Sequence, residues 1–184
     1  MNMRRCLMIL VPLGAAMLVP ALIWAQAERP VPARATERIA HEVQHEILML
    51  PYYGVFDAIS FKVELYSVTL TGWVTRPTLK SDAERVVKNV EGVEEVRNQI
   101  EVLPLSPNDD RLRLALYRAI YRSSALERYA IRSIAPIRII VNNGNATLEG
   151  FVDSASDKTL AVNFAKGVSG VFAVTDRLEV APTK

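Results

Sequence analysis

Cysteine and histidine are nearly absent from this chain, which has one cysteine, Cys6, and two histidines in 184 residues. A single thiol excludes an internal disulfide framework, so packing has to hold the fold. Two histidines leave few candidates for general-base chemistry. No glycine-rich phosphate loop, Ser/His/Asp set or placed cysteine nucleophile is visible. Net charge is scarce too, with 22 Lys and Arg against 20 Asp and Glu.

The one long apolar run is at the start. Arg4 and Arg5 precede an almost unbroken apolar stretch from Leu7 to Trp24, interrupted by Pro12, Gly14 and Pro20. Ala25 and Ala27 then supply the small side chains that a signal peptidase reads. Residues 1–27 are therefore expected to be a cleavable signal peptide, followed by an extension over 28–35. Cleavage removes Arg4, Arg5 and Cys6 and leaves a formally neutral chain. Cys6 lies ahead of the apolar run, so no lipobox cysteine follows it, and the expected product is soluble and periplasmic.

What the rest of the chain does have is a repeat. The segment from Val68 to Val102 aligns without a gap on Ala146 to Val180 at an offset of 78. Leu70, Gly72, Val74, Ala83, Val90, Gly92 and Val93 meet Leu148, Gly150, Val152, Ala161, Val168, Gly170 and Val171. About a third of the positions are identical, the mark of a duplication.

Each copy reads alike. Ile59, Phe61, Val63 and Leu65 alternate with polar residues as a half-buried strand does. A turn at Tyr66-Ser67 leads to a second strand through Val68, Leu70, Gly72 and Val74. In copy two, Asn142-Asn143-Gly144-Asn145 is a stronger hairpin signal, because these residues tolerate positive φ. A helix over Leu79–Asn89 presents Ala83, Val86, Val87 and Val90 on one face. Gly92 and Gly170 are placed as left-handed helix C-caps, and last strands span 93–102 and 171–180. An amphipathic helix precedes each hairpin, over Thr36–Leu50 and about Arg111–Ser123, with Thr36 and the Asn108-Asp109-Asp110 cluster as N-caps. The expected fold is α+β: two tandem αββαβ modules, 36–104 and 108–184, joined by 105–107. Each has a three-stranded mixed sheet with two helices on one face. Gly72 and Gly150 are read as close helix-to-strand approaches.

The pattern carried by Val68-Thr69-Leu70-Thr71-Gly72-Trp73-Val74 and by Val90 to Val102, repeated at 146–152 and 168–180, resembles the BON domain. Asp176 stands where copy one has Asn98. The resemblance implies an envelope protein that binds phospholipid and supports envelope integrity or stress tolerance, with no catalytic residues and no cofactor.

Charge separates the copies. Residues 28–104 carry a net −3 and residues 105–184 a net +3. On the helical wheel Arg113, Tyr117 and Tyr121 form one stripe with Arg118 and Arg122 beside it, and Arg128 follows. Leu112, Leu116, Ala119 and Ile120 form the buried face. Guanidinium forks bind phosphate while tyrosines rest at the headgroup boundary, so these six residues are the candidate contact with an anionic phospholipid surface. The alternative is a solvated helix whose tyrosines pack at the sheet edge. Nucleic acid shares the electrostatics but is not expected of an exported protein. Trp73 and Phe151 occupy equivalent places on the sheet face away from the helices, with Ile140 and Phe172 near them. They suggest contact between the copies, contact with an envelope protein partner, or cover by a loop.

His41-Glu42-Val43-Gln44-His45 spells H-E-x-x-H, which on a helix sets two imidazoles on one side for zinc with a glutamate to activate water. A catalytic zinc needs a third protein ligand, and no histidine remains. Ile39, Val43, Ile47 and Leu50 form the buried stripe, so His41 and His45 are read as surface groups. A zinc peptidase is the remote alternative.

Overall fold

The computed structural model describes residues 33–132 and 134–181. The expected signal segment 1–27, with Cys6, and residues 28–32 lie outside the described residues. The elements run α1 (Ala33–Leu48), β1 (Ala58–Glu64), β2 (Ser67–Val74), α2 (Pro77–Lys88) and β3 (Glu95–Val102). The second set is α3 (Pro107–Tyr121), a 3₁₀ turn (Glu127–Tyr129), β4 (Ile137–Asn142), β5 (Asn145–Val152), α4 (Ala155–Lys166) and β6 (Ala173–Val180).

Two three-stranded sheets form, ordered β1-β2-β3 and β4-β5-β6. In each the hairpin is antiparallel and the third strand pairs parallel with the middle one. The fold is thus the α+β pair of αββαβ modules that the repeat predicts. The register repeats as well, with Val68 opposite Val96 and Ala146 opposite Val174.

Alternation along the strands decides which face is covered. Val68, Leu70, Val74 and Ile100 point at Ile39, Val43 and Ile47 of α1 and at Leu79, Ala83 and Val87 of α2. The second module repeats this with Ala146, Leu148, Val152 and Leu178 under Leu112, Leu116 and Ile120 of α3 and Ala161 and Ala165 of α4. Each buried aliphatic side chain contributes roughly 1.5–3 kcal/mol, so two such layers hold the modules without cross-links.

Several boundaries and caps differ from expectation. α1 starts at Ala33, so Thr36 lies inside the helix and does not cap it. α3 starts at Pro107, and its cap is Ser106, whose side chain accepts from Asp109 N. Proline at the first helical position costs nothing, because that N–H is unpaired anyway. Asp109 is freed to turn inward, buried, and accepts from the backbone N–H groups of Asn143 and Gly144 at 2.9 Å. The first hairpin turns at Leu65-Tyr66, one residue early, with Leu65 at φ 57. The second turns at Asn143-Gly144, with φ 50 and 76, the pair a tight hairpin favours.

The glycines also need correction. Gly92 and Gly170 both have φ 92, but the helices end earlier, at C-caps Asn89 and Gly167. They serve the turn into the last strand and lie beneath Ile39 and Leu112. Gly72 and Gly150, at φ 117 and 121, mark a close strand-to-strand approach and not a helix contact. A Cβ on either would run into the backbone carbonyl of Ala58 or Pro136.

Among the described residues no helix is long and apolar enough to cross a membrane.

Candidate functional site: the arginine helix and the junction between modules

α3 sorts its arginines by where its buried stripe points. Arg113 lies on the flank of that stripe and is only 5% exposed. Its guanidinium donates to Asp110 at 2.5 Å and to the carbonyl of Val141 at 2.8 Å. Tyr121 is buried as well. Its hydroxyl donates to the carbonyl of Ile137 at 2.6 Å and accepts the N–H of the same residue at 3.1 Å. Burial pushes the Tyr121 hydroxyl up to about 12, more than the lowering by the Ile137 hydrogen bond and Arg138, so it stays protonated and able to donate. Tyr117 stacks on Tyr121 with ring centres 5.0 Å apart and meets Phe56 edge-on at 6.3 Å.

These residues close an open strand edge. β4 is the outer strand of its sheet, and its odd residues turn their polar backbone groups outward. Tyr121 serves Ile137, Arg113 serves Val141, and between them Ile139 N donates to the carbonyl of Val55 at 2.8 Å. Covering an edge in this way removes a template for unwanted strand pairing. Of the two readings of the stripe, packing at the sheet edge is the one the geometry supports for Arg113 and Tyr121, and neither is offered to a surface.

Arg128 is committed too. It pairs with the buried Asp157 and lies over the Tyr129 ring, its carbon 4.8 Å from the ring centre. Arg132 approaches the same ring at 5.0 Å and bonds both oxygens of Asp153. Burial would raise the Asp157 carboxyl, but hydrogen bonds from Arg128, Ser154 and Tyr129 hold it below the usual carboxylate range.

Arg118 and Arg122 remain. Both are exposed and form no ion pair among the described residues. On the wheel they fall opposite the centre of the buried face, with Arg111 and Leu114. Arg111 is exposed and, among the described residues, holds only the neutral Asn108 side chain, and Leu114 is 48% exposed. The outward stripe of α3 is therefore Arg111, Leu114, Arg118 and Arg122. Arg111 and Leu114 were missed as site residues, although counting outward from Leu112, Leu116 and Ile120 reaches them.

Trp73 sits where the modules meet. It packs with Ala58, Leu103 and Ile140, donates its indole N–H to Glu101 at 3.2 Å, and has Arg177 over its ring at 5.0 Å. Arg138 adds a second tie, donating to the carbonyl of Gly54 at 2.7 Å with its guanidinium 4.5 Å from the Tyr53 ring centre. Of the readings open for Trp73, contact between the copies is the one the geometry supports. Phe151 is 53% exposed. Phe172 does not join them: it is 80% exposed and lies against Gly144 at the hairpin tip.

His41 and His45 are exposed on α1, and Glu42 is held by Arg38 at 3.0 Å. No three His, Cys, Asp or Glu side chains converge in a metal-holding arrangement among the described residues.

No curated protein sequence matches the chain. Solved structures that resemble it include CdsD, a structural protein of the type III secretion system of Chlamydia trachomatis. It is 14% identical with a TM-score of 0.33, over 79% of this chain and 93% of that one. The C-terminal domain of CdsD is 15% identical with a TM-score of 0.32, over 77% and 96%. The BON domain family pattern matches residues 35–104 and again residues 108–182. The members of this family are generally non-catalytic and often linked to phospholipid binding or to envelope-associated proteins. The chain belongs to the BON domain family and carries two BON domains in tandem.

Proposed function

We propose that this chain is an exported, periplasmic, non-enzymatic envelope protein that docks reversibly on anionic phospholipid and supports envelope integrity or stress tolerance. The contact is the outer stripe of α3. The observation that carries this reading is that Arg111, Arg118 and Arg122 stand exposed on one line with Leu114 among them and no acidic partner among the described residues. Each basic residue near an anionic surface contributes on the order of 1 kcal/mol, so three give weak, salt-sensitive docking suited to reversible contact. A leucine among them adds an apolar foot at the headgroup boundary.

Sedimentation with phosphatidylglycerol-containing and purely zwitterionic vesicles tests this. Binding is expected only to the anionic vesicles, weakened by salt and abolished by the double change Arg118→Glu, Arg122→Glu. Equal binding of that variant, or none by the unaltered protein at low salt, overturns the reading.

A further inference from the structure

Three adjoining cavities open where the outer faces of the two sheets meet, and Ser60 and Glu149 line all of them. One, of about 380 Å³, has walls of Leu48, Tyr53, Ile59, Ile134 and Phe151. A second, of about 470 Å³, continues along Phe151 and Arg177 to Glu179. The third, of about 300 Å³, reaches Trp73 and Glu101.

The hydrogen bonding in this cleft is lopsided. Glu149 Oε1 accepts from the Ser60 hydroxyl at 3.1 Å, while its Oε2 is buried and receives no hydrogen bond among the described residues. Both neighbouring cations are engaged elsewhere, Arg177 on the Trp73 ring and Arg138 on Tyr53 and the Gly54 carbonyl. Glu101 already holds the Trp73 indole. Glu149 is thus a carboxylate with one neutral donor and no cation within ion-pair distance among the described residues. A buried acceptor left unmatched is unfavourable, and a charged donor satisfies it best. Glu149 lines the cavity beside Phe151, and the last torsion of a glutamate is soft, so its carboxylate can turn to meet a donor there. Phe151 lines the same cavity, and an aromatic wall suits a cation further.

We propose that the junction cleft binds a primary ammonium on a short apolar stem. The ammonium donates to Glu149, and the stem lies along Phe151 and Ile134. The same chemistry is offered by a free alkylamine or by a lysine side chain. The site is separate from α3, so a negative vesicle experiment leaves it standing.

The test is calorimetric titration of the full chain with n-butylamine, with n-butanol as the neutral isostere, and with Nα-acetyl-lysine methylamide. Butylamine is expected to bind and butanol not. Glu149→Gln keeps the Ser60 bond and should leave the thermal midpoint unchanged while weakening butylamine by about tenfold or more, the loss expected for one charged hydrogen bond. Phe151→Ala should weaken it as well. Tighter binding of the lysine derivative assigns the site to a peptide lysine, and tighter binding of butylamine assigns it to a free amine. Binding of butanol equal to butylamine, no binding of either amine, or unchanged affinity in Glu149→Gln overturns the proposal.

Discussion

Removing one oxygen from Tyr121 is a sharp way to separate folding from surface function in this protein. The hydroxyl alone satisfies both the N–H and the carbonyl of Ile137, a residue with no exposed surface. Tyr121→Phe keeps the ring, its stacking on Tyr117 and nearly all of its volume, but leaves two buried backbone groups without partners. Each such group costs roughly 1–3 kcal/mol, so the pair costs roughly 2–4 kcal/mol once some relaxation is allowed. For a cooperative unit of about 150 residues that is a fall in Tm of roughly 5–15 °C. Tyr117→Phe is the matched control, because the Tyr117 hydroxyl makes no hydrogen bond among the described residues, and it should move the midpoint very little. Thermal unfolding followed by circular dichroism reads both. Equal midpoints for the two variants would refute the edge-closing role of Tyr121. Below its lowered midpoint the Tyr121→Phe protein should still sediment with anionic vesicles, since the outer stripe of α3 is untouched.

Gly150→Ala should be among the most damaging small substitutions, since the added methyl meets the Pro136 carbonyl at φ 121. A fall of more than about 2 kcal/mol in urea titration is expected, and a midpoint within error of the unaltered protein refutes the close approach. Asp157 gives an acid limb. Its carboxyl is held below its ordinary value, so its contribution is present above about pH 4 and is lost as the pH falls through the lowered value. Asp157→Asn should flatten that limb in acid titrations of stability, and an unchanged slope counts against the Arg128–Tyr129–Asp157 group. Arg138→Ala removes the Gly54 hydrogen bond and the Tyr53 stacking. It should broaden or split the unfolding transition in calorimetry by loosening the modules, whereas a sharp single transition at the original midpoint refutes the tie.

The repeat made most of the fold legible. A gapless offset of 78 fixed equivalent strands, and the stripes Ile39-Val43-Ile47 and Leu112-Leu116-Ile120 are the buried faces of their helices. Local signals sufficed there because period and parity are properties of consecutive residues. The failures are long-range. Helical periodicity puts Arg113, Tyr117 and Tyr121 on one stripe, but only the position of β4 decides that this stripe meets a strand edge and not solvent. Nor does any local signal tell that Asp109 leaves the helix cap to Ser106 and caps a hairpin 34 residues away. The first hairpin turns one residue earlier than its pattern suggests, because Leu65 takes the left-handed conformation that Asn143 and Gly144 advertise in the second copy.

Comparing the two edges shows how the duplicated modules came to differ. Ile59 and Ile137 are equivalent, and each gives its N–H to a tyrosine hydroxyl, from Tyr53 in the loop after α1 and from Tyr121 at the end of α3. In the first module the loop supplies the tyrosine, and two residues later the same loop reaches across to place the Val55 carbonyl on Ile139. In the second module the helix supplies it, and the buried stripe Leu112-Leu116-Ile120 sets a rotation of α3 that puts Arg113 and Tyr121 on one flank. That rotation is what turns Arg111, Arg118 and Arg122 directly away from the core. The side chains that close the edge and those that face outward therefore share one helix but no partners. Charge reversal on the outer stripe should change binding without changing stability, and loss of the Tyr121 hydroxyl should do the opposite.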